Sequence, residues 1–137
     1  MPKQISPKDA YKLIEKDHSA LLIDVRSSME YLFVGHPKGA VSIPWIDEPD
    51  WDINPNFVKE IRQLILGGAC GELDSQPPVI LICRSGKRSM EAGKVLVEDN
   101  IMNVYNIDTG FEGDLDDHHQ RSTLNGWRHD GLPWEQC

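Results

Sequence analysis

Val79-Ile80-Leu81-Ile82 is the stretch that most limits how this chain can fold. Four successive apolar residues, introduced by Pro77-Pro78 and ended by Cys83, read as a strand buried on both faces rather than one with a solvated side. Shorter runs of the same kind occur at Leu21 to Val25, interrupted by Asp24, at Ala40 to Ile43, halted by Pro44, and at Asn103 to Ile107. Helical patterns alternate with them. Ser6-Pro7-Lys8-Asp9 supplies an N-cap, a proline at the first helical position and an acid in the first turn, followed by Ala10, Leu13 and Ile14 down to about Lys16. Asn56 to Leu66 places Phe57, Ile61, Leu64 and Ile65 on one face, and Gly67-Gly68 ends it. A third helix runs from the loop after Cys83 to about Glu98, with Lys87, Glu91, Lys94 and Glu98 on a solvated face and Ala92, Val95 and Leu96 on a packing face. Strands alternating with helices predict an α/β fold with a central, mainly parallel sheet.

The 137 residues suffice for one domain, spanning 1–137, and should bury roughly two-thirds of the unfolded surface. Fourteen Lys and Arg against twenty-two Asp and Glu give a net charge of −8, which argues against a general nucleic-acid binder. No apolar run approaches the ~20 residues that span a bilayer, and Met1-Pro2-Lys3-Gln4 leads into a polar helix without a signal-peptide core. These features predict a soluble, cytoplasmic protein with no membrane partner. Three cysteines, Cys70, Cys83 and Cys137, fit neither a disulfide framework nor a Cys-x-x-Cys zinc site.

Against this acidic background one cationic cluster stands out: Cys83-Arg84-Ser85-Gly86-Lys87-Arg88-Ser89. In open α/β sheets ligands bind beyond the C-terminal ends of the strands, where Cys83 falls. Gly86 permits a tight turn whose successive N–H groups converge as an anion nest, and the following helix aims its positive end at the same point. Three cations flank the thiol. Each feature favours a thiolate, so the expected product is a nucleophilic sulfur beside an oxyanion pocket. A buried core thiol at a strand end needs neither the glycine turn nor the cations.

These segments carry a resemblance to the single-domain rhodaneses, sulfurtransferases of the thiosulfate type. Leu22-Ile23-Asp24-Val25-Arg26, Glu30-Tyr31, Gly35-His36, Gly39-Ala40 and Ile43-Pro44 resemble the family's N-terminal signature in order and spacing. Cys83 to Ser89 resembles its active-site loop, Asn103 to Ile107 with Gly110 the next strand, and Gly126-Trp127 with Gly131-Leu132-Pro133-Trp134 its C-terminal closure. The resemblance implies a three-layer fold with helices on both faces of the sheet. It implies that Cys83 takes the outer sulfur of thiosulfate or a related donor, forms a persulfide, and passes the sulfur to cyanide or a thiol. Arg84, Ser85, Gly86, Lys87, Arg88 and Ser89 would bind the donor or cradle the persulfide, with no metal or organic cofactor. Pro37-Lys38 and Ser42 depart from the family pattern, as does an insertion of about 111–125 bearing Glu112, Asp114, Asp116, Asp117, His118 and His119. None of these departures is expected to touch the loop chemistry, while the insertion bears on partner and substrate preference.

Two other readings stay open. One is a relay module handing persulfide sulfur to a protein partner, with the acidic insertion, Trp45 and Trp51 as a docking face; the tryptophans would otherwise fill the core edge. The other is a phosphatase or arsenate reductase, which related loops support. Phosphatases, however, place five residues between Cys and Arg, and four separate Cys83 from Arg88 here. Asp24 and Arg26 read as an ion-paired scaffold under the loop, with Arg26 an alternative anion ligand. Glu30 and His36 read as scaffold too. His118-His119 with Asp116 and Asp117 lacks metal-ligand spacing. Cys70 is a loop residue or a resolving thiol, and Cys137 is incidental.

Overall fold

Side chains alternate faces along a strand, and that alternation on Val79–Ile82 divides the protein into layers. The computed structural model describes residues 1–68 and 76–136; Cys70 and Cys137 lie outside them. Five strands, β1 (Lys3–Ile5), β2 (Leu21–Asp24), β4 (Val41–Ser42), β5 (Val79–Ile82) and β6 (Val104–Ile107), form one sheet in the order β1-β6-β5-β2-β4. Every pairing in it is parallel. The remaining two, β3 (His36–Pro37) and β7 (Trp134–Glu135), pair antiparallel as a small separate ribbon.

The central strand β5 has no exposed residue. Val79, Leu81 and Cys83 point to one face with Ile23, where they meet Phe57 and Ile61 of α2 (Phe57–Gly68) and Ala92 and Leu96 of α3 (Lys87–Glu98). Ile80 and Ile82 point to the other face with Leu22 and Ile107. There they meet Ala10 of α1 (Pro7–Lys16), Phe111 and Trp127. The chain therefore has the three-layer α/β architecture, and no described helix is long and apolar enough to cross a membrane.

Local signals explain the helices. The Ser6 hydroxyl accepts from Asp9 N at 3.1 Å, and Pro7 takes the first position of α1. On α3, Lys87, Glu91, Lys94 and Glu98 are all exposed. Between β2 and β3, Ser27 and Glu30 exchange hydrogen bonds as a capping box and start a π-type turn at Glu30–Val34.

The structure also departs from the sequence expectations. β1 has a half-exposed polar pattern that carries no apolar run, and only pairing with β6 makes it a strand. The third expected strand shrinks to Val41–Ser42 at the sheet edge, since Pro44 cannot continue a ladder. Trp45 is not a surface residue. It packs edge-on to Phe57, with ring centroids 5.1 Å apart, and is 4% exposed, whereas Trp51 is 56% exposed. Phe111 is fully buried, and the backbone that follows it hydrogen-bonds the Cys83 loop.

Candidate active site

Cys83 follows β5 directly, so the central strand delivers its sulfur to the C-terminal edge of the sheet. The residue is 1% exposed. Two groups reach the sulfur: the Gly86 amide at 3.1 Å and the Ser89 hydroxyl at 3.2 Å. Gly86 has φ +99°, a conformation side chains rarely adopt, and a Cβ there would lie 2.2 Å from the Asp108 carbonyl oxygen. The turn therefore requires glycine twice over. α3 begins at the next residue, and the amides of its first turn have no acceptor within the helix. The positive end of α3 thus lies beside the sulfur, with Gly86 the backbone amide that meets it among the described residues.

A brace behind the loop holds it. Phe111 N donates to Cys83 O at 2.8 Å, and the amides of Glu112 and Gly113 donate to Arg84 O at 3.0 and 3.2 Å. Asn106 Nδ2 donates to Gly86 O at 3.2 Å. Gly110 permits this approach: a Cβ there would come within 2.5 Å of the Cys83 carbonyl oxygen. The loop's Cys83, Arg84 and Gly86 carbonyls are thus engaged from behind, and the Gly86 amide faces the sulfur. The contact of 111–113 with the loop runs through backbone amides, which residue types do not reveal.

The three cations divide. Arg84 and Lys87 are exposed, and neither makes an ion pair among the described residues. Arg88 is not a free cation. Its Nη1 and Nη2 donate to the two Glu30 carboxylate oxygens at 2.7 and 2.9 Å, a fork-to-fork pair about three-quarters shielded from water. Burial pushes the Glu30 carboxyl up, but the Arg88 hydrogen bonds and charge, with Arg26 nearby, outweigh it and hold Glu30 below the usual carboxylate range. The Glu30 hydrogen bond is also the main reason the Arg88 guanidinium is raised. Of the three cations expected at a donor, Arg88 is ion-paired, while Arg84 and Lys87 make no ion pair among the described residues. Glu30, read from sequence as scaffold, proves to be what captures Arg88.

Asp24 and Arg26 form the ion pair expected of them. Arg26 Nη2 lies 2.7 Å from Asp24 Oδ2, and Nε 3.0 Å from Oδ1, both side chains fully buried. Arg26 also donates to the Gly35 carbonyl and stacks 4.5 Å over Phe111, so it ties the N-terminal segment to the brace. Its Nε and Nη2 are engaged in this scaffold, while Nη1 is buried without a hydrogen-bond partner among the described residues. Ser85 is half-buried in the loop. His36 stacks on Tyr31 with centroids 3.8 Å apart, its Nδ1 2.8 Å from the Tyr31 carbonyl oxygen. Asp116 spends its carboxylate on the amides of His118 and Gln120 and the Thr123 hydroxyl, which staples its own loop.

Asn106 was missed as a site residue. The available signal was a polar residue inside the otherwise apolar run 104–107, next to the strand that ends in Cys83. A hollow of about 400 Å³ lined by Pro44, Asp47, Glu48, Asp50, Asp52 and Ile53 lies in the loop after β4. Its acidic lining is the wrong sign for an anion and it does not include Cys83.

Comparison with known proteins bears on the fold and the family. The family described as Rhodanese-like domain matches residues 6–116. The crystal structure of Rv0390 from M. tuberculosis superposes with a TM-score of 0.82, at 36% identity over 98% of each chain. Thiosulfate sulfurtransferase GlpE of Actinobacillus pleuropneumoniae serotype 3 is 30% identical over 132 residues, which is 96% of this chain and 92% of the relative. An uncharacterized protein of Rickettsia rickettsii, a homolog of RP600, is 28% identical over 97% of both.

Proposed function

The chain belongs to the rhodanese-like domain family, and on that premise we propose that it is a sulfurtransferase in which Cys83 carries sulfane sulfur from a small anionic donor to a thiol or cyanide. The observation that carries this reading is the Cys83 sulfur at the C-terminal edge of the sheet, under the Gly86 amide and the start of α3. A nest of amides suits a sulfur that must hold negative charge twice per cycle, as thiolate and as persulfide.

The Cys83 thiolate attacks the outer sulfur of thiosulfate. A new S–S bond forms, the donor's S–S bond breaks, and sulfite departs with the electron pair. The terminal persulfide sulfur then carries the charge. Attack by cyanide on that sulfur forms thiocyanate and returns the Cys83 thiolate, so electrons balance without an external oxidant. Arg84 and Lys87, the two exposed cations of the loop, would attract the donor dianion and stabilise departing sulfite. Gly86 and the first amides of α3 would cradle the persulfide. Arg88 serves the site indirectly, by fixing α3 to the turn at Glu30.

Intact mass spectrometry after thiosulfate exposure and desalting tests the proposal. The expected result is one added sulfur atom on Cys83, lost on a cyanide chase with thiocyanate formed and absent in Cys83→Ser. Undiminished turnover in Cys83→Ser would refute the mechanism. Phosphate release from p-nitrophenyl phosphate in place of a sulfur adduct would transfer the site to phosphatase chemistry.

A further inference from the structure

Asn106 is 2% exposed on β6, the strand beside Cys83's own, and its side chain joins three elements of the site. Its amide nitrogen is 3.0 Å from Gln4 Oε1 and 3.2 Å from the Gly86 carbonyl oxygen. A backbone carbonyl can only accept, so the NH2 group is fixed on that side and Oδ1 is left facing Ser89. The Ser89 hydroxyl touches both Asn106 Oδ1 and Cys83 Sγ. It has one hydrogen for two partners, and Oδ1, itself buried, accepts from no other donor among the described residues.

We propose that Asn106 is a positioning residue that takes the Ser89 hydrogen, so that Ser89 presents Cys83 with a lone pair instead of a donor and favours the protonated thiol in the resting protein. This rests on the reading of Cys83 as the reactive sulfur. The chain of hydrogen bonds then runs in one direction: Cys83 S–H to Ser89 Oγ, Ser89 O–H to Asn106 Oδ1, and the Asn106 amide to Gln4 and Gly86. When Cys83 ionises, its proton passes to solvent. The thiolate must then face the Ser89 lone pairs, or the hydroxyl must swing to sulfur and leave Oδ1 buried without a donor. Either outcome opposes ionisation. The Gly86 amide, the start of α3, and the charges of Arg84, Lys87 and Arg88 act the other way, with Glu30, Asp24 and Asp108 as the neighbouring acids. The test variants leave all those charges in place.

The experiment is the alkylation rate of the Cys83 peptide by iodoacetamide, followed by mass spectrometry across neutral to alkaline pH, with no sulfur donor present. Thiolate is the alkylated species, so the rate reads ionisation directly. Asn106→Leu is expected to alkylate about tenfold faster near neutral pH, equivalent to ~1.4 kcal/mol, and to converge with the wild type at high pH. In a Ser89→Ala background the same substitution should change the rate by less than about twofold, because the coupling runs through that hydroxyl. Ser89→Ala alone should also be faster than wild type, and this arm stands if Asn106→Leu does not fold. Equal acceleration by Asn106→Leu with and without Ser89, no acceleration at all, or a slower Ser89→Ala would each overturn the proposal. Because no donor is used, a failure to form persulfide would strike the sulfurtransferase reading and leave this result standing on its own.

Discussion

Gly86→Ala probes the geometry on which the whole site depends. Two costs add at this position. At φ +99° and ψ −8° the backbone sits in left-handed territory, where a side chain costs roughly 1–2 kcal/mol. The new Cβ would also lie 2.2 Å from the Asp108 carbonyl oxygen and 3.0 Å from its carbon. Those are backbone atoms just beyond β6, not the end of a flexible side chain, so they cannot turn aside, and forced overpacking of this kind costs about 1–3 kcal/mol. The total, about 2–5 kcal/mol, is a large part of a domain stability of about 5–15 kcal/mol, yet leaves a folded protein to assay. Gly39→Ala is the control. Gly39 has φ +81° but nothing within 4 Å of its would-be Cβ, so it carries only the first cost; the stiffer unfolded chain offsets about 0.4–1 kcal/mol in both variants and cancels between them. Urea unfolding of both variants should therefore show Gly86→Ala less stable than Gly39→Ala by about 1–3 kcal/mol. Relieving the clash moves Gly86 away from the Cys83 sulfur, which its amide now meets at 3.1 Å, and away from Asn106 Nδ2 at 3.2 Å. Displacement of that size costs on the order of a hundredfold in turnover. Matching stabilities and full activity in Gly86→Ala would show that the loop does not rest against Asp108, and the reasoning would fail.

The unequal roles of the cations predict unequal variants. Arg84→Ala should raise the thiosulfate KM about three- to tenfold with kcat little changed, and Arg88→Ala should mainly lower stability, by about 1–3 kcal/mol, because it leaves Glu30 unpaired; equal KM effects in steady-state kinetics would contradict the division. Glu30→Gln should cost about 1–2 kcal/mol at pH 7. Since the Glu30 carboxyl is held below its unfolded value of about 4.3, its contribution is present above that pH and is lost as pH falls through the folded value. Urea unfolding at neutral and acid pH should show the gap between wild type and Glu30→Gln closing on the acid side, and a gap that widens there would refute it. Ser6→Ala removes the cap of α1 and should cost about 1 kcal/mol, read as a fall of about 4 °C in Tm with activity unchanged.

Much of the site could be read along the chain because its parts are neighbours in sequence. The apolar run 79–82, Cys83, the Gly86 turn and the first turn of α3 lie within eleven residues, and strand, turn and helix each follow from local chemistry. Strand ends, caps and glycine turns depend on φ, ψ and side-chain period, which neighbouring residues set. The Asp24–Arg26 pair was legible for the same reason, being two residues apart.

Tertiary structure alone decided which partners those residues found. Glu30 reaches Arg88 across 58 positions and pairs with it. The strand order β1-β6-β5-β2-β4 brings Asn106 beside Ser89, and Gln4 beside Asn106 from 102 residues away. It also lays the backbone of 111–113 against Cys83 and Arg84. No local pattern encodes such meetings, because the sheet closes the distance and amides carry the contact whatever their side chains. The sequence by itself determined that a thiol would stand at the end of a buried strand under a helix start. The fold determined which charges are paired there and which two acceptors the Ser89 hydroxyl meets, since both depend on what long-range packing brings within hydrogen-bond reach.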